Sequence, residues 1–226
     1  MTVSRTFGDM QNRIIDELGG RSDLNVAASG LSVSPIQLAI LDAVRKWERE
    51  RFWFNEIRTT GAFTTVNGQE FYTSSDWSSL PNVAHIDKMS VLISANRYFM
   101  WPRTAQYMED VSINPNVKGQ PVDYCYYAEN IRMYPIPDNS YPVNVLYTQR
   151  VTELSATSDT NIWTNEAEEL IRCTAKQILY EGTLLDDVGS ARMKAAIYGQ
   201  PQGALQALRA ETFRRSATQR MRATYF

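Results

Sequence analysis

The chain has 226 residues, of which 43% are hydrophobic and 21% are charged, and its net charge is −2 at pH 7. This length and composition allow a buried core in one large domain, or in a domain with a smaller lobe, without disulfides. A sequence pI of about 5.6 argues against a protein whose whole surface grips nucleic acid phosphates.

Two N-terminal helices have readable start signals. Thr6, with Asp9 three residues later, predicts a capping box for a short helix that ends at Gly19-Gly20. Ser34, followed by Pro35 and then Gln37, predicts a second helix whose apolar residues repeat at helical spacing as far as Trp47.

Three neighbouring aromatic rings follow the second helix, in the run Arg51-Phe52-Trp53-Phe54. Three consecutive rings cannot all face one side of a helix, so at least one must pack against another layer. We predict that this run is a hinge between two lobes and that its rings are core packing rather than a ligand site.

Residues 58–151 are predicted to form strands. Val66-Asn67-Gly68-Gln69 is typical of a type I′ hairpin turn between aromatic strand residues, and Glu129-Asn130 predicts a second tight turn. Few cations are interleaved with the tyrosines of this region. The pattern therefore favours a sheet that meets protein surfaces over a platform for single-stranded nucleic acid.

The chain becomes helical again after the strands and then changes in charge. Asn165, with Glu168, predicts the cap of a third helix that runs towards Gly182. Residues 209–226 contain five arginines and one glutamate, a local charge of +4, which leaves −6 on residues 1–208. From Arg214 onward no apolar periodicity remains, which is typical of a tail that orders only against a partner.

We predict that this tail docks on a partner protein, because guanidinium groups suit carboxylates and aromatic rings suit apolar pockets. A frayed, solvated chain end is the alternative. The residues assigned to the docking tail are Arg209, Phe213, Arg214, Arg215, Arg220, Arg222, Tyr225 and Phe226.

Catalytic and cofactor-binding sites are hard to assemble from this sequence. His85 is the single histidine, Cys125 and Cys173 lack metal-ligand spacing, and no nucleotide-binding glycine loop is present. Adjacent Asp186-Asp187 is more typical of a solvated turn than of a cation site. We expect no enzyme, no metal and no cofactor, and the cysteines suit a reducing compartment.

No apolar run is long enough to cross a bilayer, and residues 1–9 lack the layout of a signal peptide. We therefore expect a protein that is made and used in the cytosol and has no membrane partner.

Six short blocks follow one another along most of the chain, the first of them Arg-Phe-Trp-Phe-Asn-Glu. The blocks are 51–56, 68–72, 119–124, 134–138, 145–147 and 161–163. In this order they resemble the head-to-tail adaptor (connector or head-completion) proteins of tailed bacteriophages. The resemblance covers about residues 8 to 182 and says little about residues 183–226.

The resemblance implies a structural protein of the virion, located at the head–tail junction and assembled in the host cytoplasm. It implies a ring of about twelve copies that binds the portal protein and the next tail component, a nozzle or tail tube. Genomic DNA would pass through the channel without sequence-specific binding, which suits a neutral to acidic body. Two alternatives stay open: a tail-tube or tail-terminator ring, and a nucleic-acid-binding protein that uses the basic tail.

The sequence therefore predicts an α+β protein with a helical bundle lobe, a mainly antiparallel β lobe and an extended C-terminal tail. The expected division is 1–57 and 152–208 for the helical lobe, 58–151 for the β lobe and 209–226 for the tail.

Overall fold

Capping boxes begin the first two helices at the predicted residues. In the computed structural model, Asp9 N donates to Thr6 Oγ1 at 3.1 Å and Thr6 N donates to the Asp9 carboxylate at 3.0 Å. Ser34 and Gln37 repeat this arrangement, with Pro35 at the first helical position. Both predicted helix starts are confirmed.

The structure describes residues 5–30, 32–114, 117–151, 153–201 and 203–216. Its helices are α1 (Phe7–Glu17), α2 (Pro35–Trp47), α3 (Ala105–Val111), α4 (Ile162–Glu166), α5 (Glu168–Leu179), α6 (Asp187–Tyr198) and α7 (Ala204–Ser216). Its strands are β1 (Glu56–Thr64), β2 (Phe71–Tyr72), β3 (Val83–Ile93), β4 (Asn96–Pro102), β5 (Lys118–Gly119), β6 (Asp123–Tyr127), β7 (Asn130–Tyr134), β8 (Ile136–Pro137) and β9 (Pro142–Gln149). The predicted α+β class is confirmed.

The chain divides into two compact units. Residues 1–55 and 151–226 make up the first, called here the helical unit, and residues 56–150 make up the second, called the β unit. The helical unit is therefore built from two segments of chain that are far apart in sequence. Each unit has its own cluster of buried apolar residues.

Helix α5 runs through the core of the helical unit. Its buried residues include Leu170, Ile171 and Ala175, and the buried Trp47 of α2 donates from Nε1 to the hydroxyl of Thr174 at 2.8 Å. This pairing satisfies a polar group that would be costly to bury alone.

The third helical region begins earlier than Asn165. Asn161 caps α4 through a capping box with Thr164, and α5 starts separately after Ala167. Asn165 instead accepts a hydrogen bond from the backbone of Arg5 at 3.1 Å. The predicted cap at Asn165 is wrong because its side chain is engaged by a residue 160 positions away.

The β unit contains a seven-stranded sheet in the order β1-β9-β3-β4-β6-β7-β2. Every pairing in that sheet is antiparallel except the short contact of β4 with β6. The two end strands approach each other, since the rings of Phe63 and Tyr72 lie 5.0 Å apart. The sheet therefore curls around its core.

The turn at Asn67-Gly68 forms, but it does not join a hairpin. Gln69 N donates to Val66 O at 3.0 Å and Gly68 has φ +83°, which is the third-position geometry of a type II turn. The strands on either side pair elsewhere, β1 with β9 and β2 with β7. The predicted type I′ hairpin is wrong because distant strands supply the partners.

Two other turns have the I′ character. Ser94 and Ala95, between β3 and β4, both have positive φ, and so do Ala128 and Glu129, between β6 and β7. The second lies one residue earlier than the predicted Glu129-Asn130 turn. The right-handed twist of the paired strands favours this turn even without glycine.

Candidate functional site

Helix α7 packs on the helical unit through a short apolar stripe. Leu205 is buried and Leu208 is partly buried against the core. The hydroxyl of Thr212 accepts from Trp53 N at 3.3 Å and donates to Leu208 O at 2.8 Å. These contacts fix the helix that carries the first arginines of the C-terminal region.

Two of those arginines are paired within the unit. Arg209 donates to the Glu50 carboxylate at 2.9 Å, and Arg215 donates to Glu211 at 2.6 Å. The guanidinium of Arg215 also lies 3.5 Å from the centroid of the Trp53 ring, a cation–π contact. Helix α7 is thus tied to the segment that follows α2.

Part of the predicted docking tail is helical, and its docking role stays a prediction. Arg209, Phe213, Arg214 and Arg215 lie on α7, because i,i+4 pairing and contact with Trp53 stabilise its last turns. Arg220, Arg222, Tyr225 and Phe226 lie outside the described residues. The loss of helical structure predicted from Arg214 onward is therefore wrong for residues 214–216, where α7 continues.

A shallow concavity of about 370 Å³ opens between the end of α2, the end of α6 and α7. Lys46 Nζ lies 5.3 Å from the ring centroid of Trp47 and 5.9 Å from that of Tyr198. The residues lining the concavity are Lys46, Trp47, Arg49, Glu50, Tyr198, Leu205, Gln206 and Arg209. Three of these residues are cations and one is a carboxylate, so the net charge of the concavity is positive.

Two exposed residues lie on α7 about one turn beyond Arg209. Phe213 is 72% exposed and Arg214 is also exposed. Aromatic and arginine side chains are the types that protein interaction sites favour. We define Lys46, Arg49, Tyr198, Phe213 and Arg214 as the α7 surface.

The aromatic run after α2 is divided between core and surface. Phe52 and Phe54 are buried, and their ring centroids lie 5.7 and 5.0 Å from that of the fully buried Trp163. Trp53 is only partly buried, and Arg51 is exposed. The chain leaves the helical unit after Asn55, and the hinge role of Arg51, Phe52, Trp53 and Phe54 stays a prediction.

Sequence reasoning missed Lys46, Arg49 and Tyr198 of the α7 surface. Lys46 and Arg49 lie on either side of Trp47 at the end of α2. This pattern of basic residues around an aromatic residue could have indicated the site in the sequence. Their meeting with Tyr198 depends on tertiary packing across about 150 residues of chain.

Residues that suggested chemistry in the sequence are not brought together. His85 lies 3.9 Å from Asp87, and burial raises the pKa of the thiols of Cys125 and Cys173, which makes them less reactive. Asp186 caps α6. Within the described ranges, no group of three or more His, Cys, Asp or Glu is placed to hold a metal ion.

Among the helices in the described part of the chain, none is long and apolar enough to span a bilayer.

The comparisons with known proteins identify the family. No curated protein matches the chain. The family model described as SU10 adaptor protein matches residues 5–223, nearly the whole length, so the chain belongs to the SU10 adaptor protein family.

Proposed function

We propose that this phage adaptor protein joins the head to the tail, as a ring beneath the portal that extends the DNA channel and offers a surface for tail attachment. The family match over residues 5–223 carries this proposal. About twelve copies would match the portal, and the ring would reside in the virion after assembly in the host cytoplasm.

The division of the chain into two units supports a ring. A cyclic ring needs head-to-tail contacts, in which two different surfaces of the protomer meet. The helical unit and the β unit each have a separate core, so each can present its own surface.

The charge distribution supports a channel through which DNA slides. Residues 1–208 carry a net charge of −6, and an acidic body does not retain a phosphate backbone. Genomic DNA therefore passes without sequence-specific binding, and the protein works by contact alone, without turnover chemistry.

The α7 surface, together with residues 217–226, is the proposed portal-docking site. Exposed Arg214 offers several donors to carboxylates, and Phe213 provides an apolar anchor. Arg215 and Arg209 hold α7 in place through Trp53 and Glu50. The partner that fits this surface is acidic, with an apolar pocket. The next tail component, a nozzle or tail tube, binds elsewhere on the ring.

The test is a joining assay with purified portal-bearing heads that lack the adaptor. Heads are mixed with full-length protein and sedimented, and bound adaptor is quantified. We expect Arg214→Glu to reduce binding at least about tenfold and removal of residues 217–226 to reduce it further. Arg192→Glu makes the same charge change on exposed α6 and serves as the matched control, with binding unchanged.

Two results would contradict the proposal at different levels. If the Arg214→Glu variant and the protein without residues 217–226 both join heads like the parent, the portal-docking site lies elsewhere. If the unmodified protein binds purified tail tubes but never heads, it is a tail-tube or tail-terminator component.

A further inference from the structure

Strand β4 has an open edge over residues 96–100. On one side this stretch pairs with β3, from Ile93↔Asn96 to Met89↔Met100. On the other side, pairing with β6 begins only at Trp101↔Asp123. In the described part of the chain no strand pairs with that side of residues 96–100.

The backbone groups that face this edge can be identified. Trp101 N donates to Val122 O at 2.8 Å, away from β3. Backbone groups alternate in direction along a strand that pairs antiparallel, so Phe99 and Arg97 also direct their N–H and C=O groups away from β3. They present two donors and two acceptors at the open edge.

The side chains beside the edge are basic and aromatic. A concavity of about 200 Å³ on the outer face of β1, β9, β3 and β4 is lined by Arg58, Lys88, Ser90, Arg97, Phe99, Asn144, Val145 and Leu146. Lys88 Nζ lies 3.9 Å from the centroid of the half-exposed Phe99 ring. None of the lining residues is a carboxylate.

The charge of this surface is not balanced by ion pairs. Among the described residues, neither Arg58 nor Arg97 has a salt-bridge partner. Asp87, next to Lys88 in sequence, has a side chain that is only 19% exposed. The concavity therefore keeps a positive charge beside an exposed ring and an unpaired strand edge.

We infer that an extended acidic segment of another protein adds to β4 as an extra strand. The open donors and acceptors of Arg97 and Phe99 would pair with its backbone, and its carboxylates would meet Arg58, Lys88 and Arg97. The inference stands on the β unit alone and does not depend on which component the helical unit binds.

A protein strand fits this site better than a nucleic acid or a second copy of the chain. Nucleic acid phosphates accept hydrogen bonds and would leave the carbonyl groups of the edge without donors. Within the described residues, β1 pairs only with β9 and offers a second free edge. The sequence of β1 contains one acidic and one basic residue, so β1 is not the acidic strand that the β4 surface favours.

Fluorescence anisotropy with the full-length protein tests the inference. The probe is a labelled peptide of about ten residues in which Glu alternates with Thr, and the comparison peptide carries Lys at every Glu position. We expect the Glu peptide to bind and the Lys peptide not to bind. Arg97→Glu should weaken binding at least about tenfold, whereas Arg150→Glu, the same change elsewhere in the β unit, should leave it unchanged.

Variants at Phe99 separate strand addition from simple attraction of charge. Phe99→Ala keeps the outward N–H, and Phe99→Pro removes it without touching a bond to β3. Proline should therefore weaken binding well beyond alanine, with circular dichroism confirming that both variants fold.

Three outcomes would overturn the inference. Equal binding by the two Phe99 variants, with duplex DNA competing as well as the Glu peptide, would show a plain anion site. Absence of peptide binding, together with self-association lost in Arg97→Glu, would assign the edge to a second copy. If the protein neither binds the peptide nor self-associates, the edge does not recruit a strand.

Discussion

The helical unit and the outer face of the β unit differ in whether their charged side chains form ion pairs. In the helical unit, ion pairs link the two distant chain segments: Glu17 contacts Arg172 and Lys176, and Glu168 contacts Arg13. In the β unit, Arg58, Lys88 and Arg97 on the outer face form no ion pair with any residue that the structure describes. The β unit has ion pairs elsewhere, which join Arg132 to Glu70 and Arg103 to Asp123. The open charge is therefore a property of the face beside the free strand edge and not of the whole unit.

Closure of the helical unit also depends on aromatic packing. Phe52 and Phe54 come from the end of the first segment, and Trp163 comes from the second. Edge-to-face ring contacts add to the burial of apolar area. The β unit is continuous in sequence, and the rings of Phe63 and Tyr72, on its two end strands, lie 5.0 Å apart. Ring contacts therefore contribute to both units.

The largest expected effect is on this closure. Phe52→Ala removes a fully buried ring that contacts Phe54 and Trp163, and we expect a loss of about 3–5 kcal/mol in the free energy of unfolding. Urea denaturation followed by far-ultraviolet circular dichroism measures it, with the helical signal falling at lower urea.

Trp53→Ala is the matched control, because it removes a neighbouring ring that is only partly buried. The structure predicts a loss of about 1–2 kcal/mol, mainly from the Arg215 contact. Equal losses for Phe52→Ala and Trp53→Ala would contradict the buried-cluster explanation.

A smaller effect is expected in the β unit, where Tyr72 holds the turn before β2. Its hydroxyl accepts from Val66 N at 3.2 Å and donates to Gln69 O at 3.0 Å, and the side chain is fully buried. Tyr72→Phe leaves both backbone groups without that partner and should cost about 1–3 kcal/mol. Thermal unfolding monitored by near-ultraviolet circular dichroism measures it.

Tyr127→Phe is the control for this change, since Tyr127 is 70% exposed and its variant should unfold like the parent. A Tyr72→Phe variant that also melts like the parent would show that water replaces the hydroxyl and that the turn is held by its neighbours.

Local features of the fold could be predicted from the sequence, and long-range partners could not. The capping boxes at Thr6 and Ser34 involve residues three positions apart, so the pattern contains the whole interaction. The turn at Asn67-Gly68 was also recognisable. Its strands were misassigned because β2 pairs with β7, about 60 residues away, and nothing near the turn encodes that choice.

The candidate site shows the same limit. The arginines of residues 209–226 were visible as a change in charge, but their structure depends on partners early in the chain. Arg209 pairs with Glu50, 159 residues away, and Arg215 stacks on Trp53. A sequence read locally therefore predicts a tail where tertiary contacts extend a helix. The open edge of β4 was missed for the same reason, since it exists only through the order of the strands.

The smallest expected effect concerns pH and again separates the units. The carboxyl groups whose pKa values are lowered lie mostly in the helical unit, at Asp9, Asp23, Asp159 and Glu181, with Asp76 in the β unit. Acid should therefore weaken the helical unit first.

Glu181 gives the clearest test. Hydrogen bonds from Lys194, then Ser190 and Gln177, lower the pKa of its carboxyl from 4.5 to about 2. Because the folded pKa lies below the unfolded one, the stabilisation is fully present above about pH 4.5 and is lost as the pH falls towards 2.

The pair with Lys194 is about half exposed, so we expect Glu181→Gln to cost less than about 1 kcal/mol at pH 7. The difference from the parent should vanish near pH 2 in thermal unfolding scans. A constant gap between Glu181→Gln and the parent from pH 7 to pH 2 would contradict the assignment.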